Sequence, residues 1–128
     1  MNGEAEKIVQ QWLDDVSFSV ATWNLDAHMQ LVSRQVKVSG IPRIGTIDYN
    51  GWKQRRRNEF DKKLLRSLTY HLYEILSKSD DQLRFTVEET MRGNNGKTLV
   101  IDKEVTLNRE DDGKWRVSNE RLDFIQQR

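Results

Sequence analysis

Apolar and polar residues alternate through three successive runs in the C-terminal half of the chain, residues 83–92, 97–108 and 114–123. Alternation of this length predicts β-strands that each bury one face. That face reads Leu83, Phe85, Val87, Glu89 and Met91 on the first run, and Leu99, Ile101, Lys103, Val105 and Leu107 on the second. On the third it reads Trp115, Val117, Asn119 and Arg121. Gly93-Asn94-Asn95-Gly96 and Glu110-Asp111-Asp112-Gly113 separate the runs and predict hairpin turns, because Gly and Asn tolerate positive φ.

Upstream the period changes. Ile8, Val9, Trp12, Leu13, Val16 and Val20 recur at helical spacing, which predicts an amphipathic helix over residues 4–22 with Glu4 and Glu6 favouring its N-terminal dipole. Asp26 is expected to cap a short helix over residues 27–32. Residues 34–39 read as a short strand broken at Gly40-Ile41-Pro42, and residues 46–48 as another. Asn50 is expected to cap a third helix whose stripe is Trp52, Arg56, Phe60 and Leu64. Residues 68–76 form a further strand with apolar groups on both faces: Leu68, Tyr70, Leu72 and Leu76 on one, Tyr73 and Ile75 on the other. A sheet face bathed in water does not carry such a pattern, so the second face is expected to meet a partner, most simply another copy of the chain.

The polar interruptions of the buried face carry the functional question. Burying Glu89, Lys103, Asn119 or Arg121 unpaired costs several kcal/mol each. Matching apolar positions sets Val87 opposite Lys103, Glu89 opposite Ile101, Leu107 opposite Trp115 and Lys103 opposite Asn119. In that register the four polar groups converge on one patch. Such a patch serves as a pocket floor that orients a polar or anionic ligand, or as an ion-pair network at the sheet rim. A one-residue slip in either hairpin dissolves it.

Composition narrows the classes. At 128 residues the chain is expected to form a single domain, residues 1–128, with one core. Charges are near balance, with 21 basic and 20 acidic residues, which argues against nucleic-acid or acidic-membrane binding. The run Lys53-Gln54-Arg55-Arg56-Arg57 spreads around a helix rather than forming a stripe, and Glu59 can pair with Arg55 or Arg56. With no cysteine, disulfides, thiolate nucleophiles and Cys-based zinc sites are excluded. His28 and His71 are not spaced as a metal pair, so neither metal nor cofactor is expected. The start Met1-Asn2-Gly3-Glu4 is acidic, and no run of signal or membrane-spanning length follows, so the expectation is an unprocessed cytoplasmic protein.

The order helix, short helix, two short strands, helix, then four long strands resembles the nuclear transport factor 2-like superfamily, which includes SnoaL-like polyketide cyclases and ketosteroid isomerases. The resemblance covers roughly residues 5–124. It rests on Asp26-Ala27-His28 opening the second helix, Val36-Lys37-Val38 as first strand, Gly45 ahead of the third helix, and the closing Gly113-Lys114-Trp115-Arg116-Val117 turn and strand. It implies an α+β fold in which a strongly curved, mostly antiparallel sheet wraps the long first helix as a cone. It also implies a small-molecule pocket at the open end and homodimers through the outer sheet face. Trp23, Tyr49 and Trp52 then flank the cavity, or serve as ordinary core. His28 is placed to face the cavity mouth. Either His71 or, in the competing register, Tyr70 flanks Glu89. Where the isomerases hold an aspartate base at the end of the first strand, this chain has Ser39-Gly40, and no pair of acids suited to that chemistry is evident. The expectation is a dimeric domain binding a small organic ligand, with a cofactor-free lyase, isomerase or hydrolase, or a pure interaction module, as alternatives.

Overall fold

The structure, a computed structural model, describes residues 3–128. Met1 and Asn2, part of the N-terminal segment read above as unprocessed, lie outside the described residues. Helix α1 (Gly3–Ala21) buries Val9, Trp12, Leu13, Val16 and Val20, the stripe its spacing predicts. Helix α2 (Leu25–Met29) follows, and its cap is Asn24 rather than Asp26: the Asn24 side chain accepts from the Ala27 N–H at 3.0 Å. It ends before Val32, where the β-branched run Val32, Val36, Val38 turns extended.

Strand β1 (Val32–Ile41) leads to β2 (Gly45–Ile47) and then to helix α3 (Tyr49–Asp61). The α3 cap is Asp48, not Asn50; its carboxylate accepts from the Gly51 N–H at 2.9 Å. Trp52 and Phe60 are buried on the expected stripe, whereas Leu64 lies past the helix end and is exposed. The long strands are β3 (Leu65–Lys78), β4 (Gln82–Gly93), β5 (Thr98–Arg109) and β6 (Trp115–Gln127).

The six strands form one mixed sheet in the order β2-β1-β6-β5-β4-β3. Every neighbouring pair is antiparallel except β1 and β6, which run parallel. The concave face packs α1 against β3 and α3 against β1, around a core that includes Phe85, Val87, Val105, Leu107 and Val117. Bulges interrupt four of the five strand pairs; each bends its strand and sharpens the local twist.

Two bulges decide which side chains enter the cone. On β3, the register with β4 skips Tyr73, passing from Leu72↔Val87 to Glu74↔Thr86. Ile75 therefore packs on the core beside Tyr70 and Leu72, while Leu76 turns out to solvent, reversing the expected sides of those two residues. On β6, Leu107 pairs with Val117 but Thr106 pairs with Asn119, so Ser118 is the extra residue. Past that point the inward positions are Glu120 and Leu122, and Asn119 and Arg121 face out. The expected pairs Leu107–Trp115 and Lys103–Asn119 do not form; Trp115 pairs with Arg109 and Lys103 with Leu122.

Candidate functional site

The first hairpin has the register that its apolar positions require. Val87 lies opposite Lys103 and Glu89 opposite Ile101, which sets Glu89 and Lys103 diagonally on the concave face. The Lys103 ammonium donates to Glu89 Oε2 at 3.0 Å and to Glu120 Oε1 at 3.1 Å. From β3, the Tyr70 hydroxyl donates to the same Glu89 Oε2 at 2.6 Å. Glu89, Lys103 and Glu120 are all buried. Glu89 Oε1 is buried without a hydrogen-bond partner among the described residues.

The three charges respond to one another. Burial pushes the Glu89 carboxyl up, but the Lys103 and Arg56 charges and the hydrogen bonds from Tyr70 and Lys103 outweigh it, leaving its pKa below the ordinary value. For Glu120 burial wins: Lys103 pulls the pKa down, Glu89 pushes it up again, and the balance lies above the ordinary value. Burial disfavours the Lys103 ammonium, yet the two carboxylates raise its pKa, so it stays charged. Burial, then the Glu89 charge, holds Tyr70 well above its usual range, so it is a neutral donor. The cone thus contains two acids displaced in opposite directions on one lysine. Glu120 is a second acid on the concave face, and strict alternation does not reveal it because the Ser118 bulge shifts the parity of β6. A trace of it is present in the sequence: Val117, Leu122 and Ile125 change parity along β6.

A second polar cluster lies under α3. The Ser19 hydroxyl donates to the Val16 carbonyl at 2.7 Å, which leaves its oxygen to accept from His28 Nδ1 at 2.9 Å. His28 Nε2 accepts from Trp52 Nε1 at 3.0 Å and from Arg56 Nε at 3.2 Å. These roles require the neutral imidazole with its proton on Nδ1. Burial, followed by the Arg56 and Lys103 charges, drives the His28 pKa well below its ordinary value. His28 is therefore a buried junction between α1, α2 and α3 and does not face the cavity mouth as expected. Arg56 also donates to Glu59 Oε1 at 2.6 Å. Turning inward, Arg56 leaves the basic run of α3.

Between these clusters is a cavity of about 150 Å³. Its apolar wall includes Ile41, Met91, Ile101, Leu122 and Ile125; Trp52, Arg55, Arg56, Glu59, Glu89, Lys103 and Glu120 supply its polar side. Of the residues singled out from the sequence, Glu89, Lys103 and Trp52 stand on this wall. Asn119 and Arg121 do not: Arg121 bonds Asp123 and Glu104 on the convex face. His71 is also outside, against the Tyr73 ring, and Tyr70 takes the place beside Glu89. Trp23 donates to the Leu65 carbonyl at 2.8 Å beneath the Lys63 ammonium, and Tyr49 lies under Arg34, so both serve packing away from the cavity. Among the described residues no group of His, Cys, Asp and Glu is arranged to hold a metal ion, and no helix is long and apolar enough to cross a membrane.

No family model matches the sequence, and no curated protein does. Solved structures resemble it closely in shape. An NTF-2-like protein of unknown function from Shewanella oneidensis MR-1 superposes with a TM-score of 0.77 at 14% identity, over 92% of this chain and 98% of that one. A protein of unknown function with a cystatin-like fold from Nostoc punctiforme PCC 73102 gives 0.71 at 9% identity, over 94% and 90%. A ketosteroid isomerase-like protein from Erwinia carotovora atroseptica SCRI1043 gives 0.66 at 12% identity, over 91% and 92%. The chain has the nuclear transport factor 2-like, cystatin-like fold: an α+β cone of curved mixed sheet around a long N-terminal helix.

Proposed function

We propose that this protein binds a small organic molecule inside the cone. The observation that carries the reading is an acceptor oxygen, Glu89 Oε1, buried and unpartnered on a carboxylate that lines an otherwise largely apolar cavity. An orphan of this kind costs free energy unless something completes it, and a mostly apolar hollow with a few convergent polar groups is the usual form of a ligand site. A thermal-shift screen of small ring-bearing compounds tests it. Upward shifts that disappear in Ile125→Trp, which fills the cavity, are expected; shifts that survive that substitution, or none at all, would overturn the reading.

A second reading, cofactor-free acid–base catalysis, is favoured by the opposite displacement of Glu89 and Glu120, since acids driven apart in this way can share the roles of base and acid. With a ligand in hand, Glu120→Gln is expected to preserve binding and abolish turnover.

The working unit is, in this proposal, a homodimer formed through the convex sheet face. Tyr73 and Phe124 stand exposed there on either side of Asp102, which accepts from the Tyr73 hydroxyl and pairs in register with Phe124. Sedimentation is expected to show a dimer that Phe124→Lys dissociates; a wild-type monomer at high protein concentration would refute it.

A further inference from the structure

The polar side of the cavity is specific about what it lacks. Lys103 carries three N–H donors, of which two are directed at Glu89 Oε2 and Glu120 Oε1. Arg56 is committed to Glu59 and His28. Both of these cations are thus already paired, and two buried carboxylates stand beside them, so an anion placed against them would meet repulsion; the third cation of the lining, Arg55, is exposed rather than buried with them. A cationic ligand would meet the Lys103 ammonium next to the oxygen it needs. What lacks a partner is one strong acceptor, Glu89 Oε1, on a carboxylate of the cavity lining, and Lys103 beside it has one N–H beyond the two bonded ones. A hydroxyl group is both donor and acceptor and completes the two together.

Size and lining set the rest of the molecule. A water molecule has the same hydrogen-bonding capacity but takes only about 30 Å³ in the liquid, against a cavity of about 150 Å³. The remainder is walled by Ile41, Met91, Ile101, Leu122 and Ile125 and calls for an apolar body. An apolar cavity of about 150 Å³ admits a benzene ring.

Resting on the binding function proposed above, we infer that the ligand is a neutral, ring-sized hydroxyl compound, an alicyclic alcohol or a phenol, whose O–H donates to Glu89 Oε1 while its oxygen accepts from Lys103 and its ring fills the apolar wall.

The test follows the methyl NMR signals of Met91, Ile101 and Ile125 while cyclohexanol, phenol, benzene and benzoate are titrated separately. Cyclohexanol and phenol are expected to bind at least about tenfold more tightly than benzene, the scale of one hydrogen bond to a charged acceptor, and benzoate is expected to leave the signals unmoved. In Glu89→Gln the advantage of the hydroxyl compounds over benzene should vanish while benzene itself binds as before. Should that variant fail to fold, Glu89→Asp, which keeps the charge and withdraws the oxygens by one methylene, is expected to reduce the same advantage. Equal affinities for benzene and cyclohexanol in the wild type would overturn the ligand class and leave the binding pocket standing. Silence toward all four probes, as for a cavity holding water alone, would overturn both.

Discussion

Lys103 holds two carboxylates that would otherwise repel each other in a buried site. Removing it alone, as in Lys103→Met, leaves both acids uncompensated and is expected to lower stability by about 3–5 kcal/mol, measured as a shift of the urea midpoint at constant m. Replacing the group together, Tyr70→Phe, Glu89→Leu, Lys103→Met and Glu120→Leu, removes the desolvation penalty along with the attraction. That variant is expected to equal or exceed the wild type in stability, because apolar replacements of buried ion clusters commonly do. If it does, the triad is kept in the cone for a reason other than holding the fold. If it unfolds, the cluster is structural and the ligand proposal loses its motive. At this scale Glu89 and Lys103 were legible in the chain because both lie on the regular hairpin, where alternation alone sets the face. Asn119 and Arg121 face out, and Glu120 faces in, because one unpaired serine reverses the alternation as far as Leu122, beyond which a second unpaired residue, Asp123, restores it.

At the scale of elements, the junction of β1 with β6 is the least forgiving point. Gly40 has φ of +80°, and a Cβ built there would lie 2.3 Å from the Leu122 carbonyl oxygen. The left-handed conformation costs a non-glycine residue about 1–2 kcal/mol, and the backbone clash adds to it because neither strand can yield without breaking the parallel pairing. Gly40→Ala is expected to destabilise by about 2–4 kcal/mol in urea titration, within the range of strained backbone positions; a loss under about 0.5 kcal/mol, typical of a neutral surface change, would show that the contact relaxes freely. The same crowding keeps Gly40 free of any side chain, an acidic one included. Element by element, the helices and long strands follow from periodicity, and their caps show where it stops. Asn24 and Asp48 each stand two residues before the residue expected to cap, since capping depends on which side chain reaches a free N–H rather than on which polar residue comes next to the apolar run.

For the whole molecule, the buried His28 ties stability to pH. Folding lowers its pKa, so below the ordinary value of 6.5 the unfolded chain binds a proton that the native state resists. Stability from this group is therefore complete above about pH 6.5 and declines as pH falls, with a limiting slope of about 1.4 kcal/mol per pH unit for one proton. Glu120 acts in the opposite sense, because its raised native pKa costs stability as pH rises above the ordinary carboxylate value. The His28 contribution is isolated by comparison with His28→Gln, whose amide can serve the same neighbours without titrating. Between pH 7 and 5 the difference in unfolding free energy between the two proteins is expected to narrow steadily; parallel curves would mean that His28 accepts its proton in the folded state.

Composition and periodicity by themselves determined that this chain combines helices with long strands, that its N-terminal part is a long amphipathic helix, and that Glu89 and Lys103 share one buried sheet face. Those are consequences of local rules, since helix and strand periods act over neighbouring residues and a tight hairpin carries its register across a single turn. Which acid completes the lysine pair, which side of the sheet receives Arg121, and whether His28 titrates or stays neutral were decided only in three dimensions. Each depends on a bulge or on a contact between residues distant in sequence, where packing, not pattern, selects the partner.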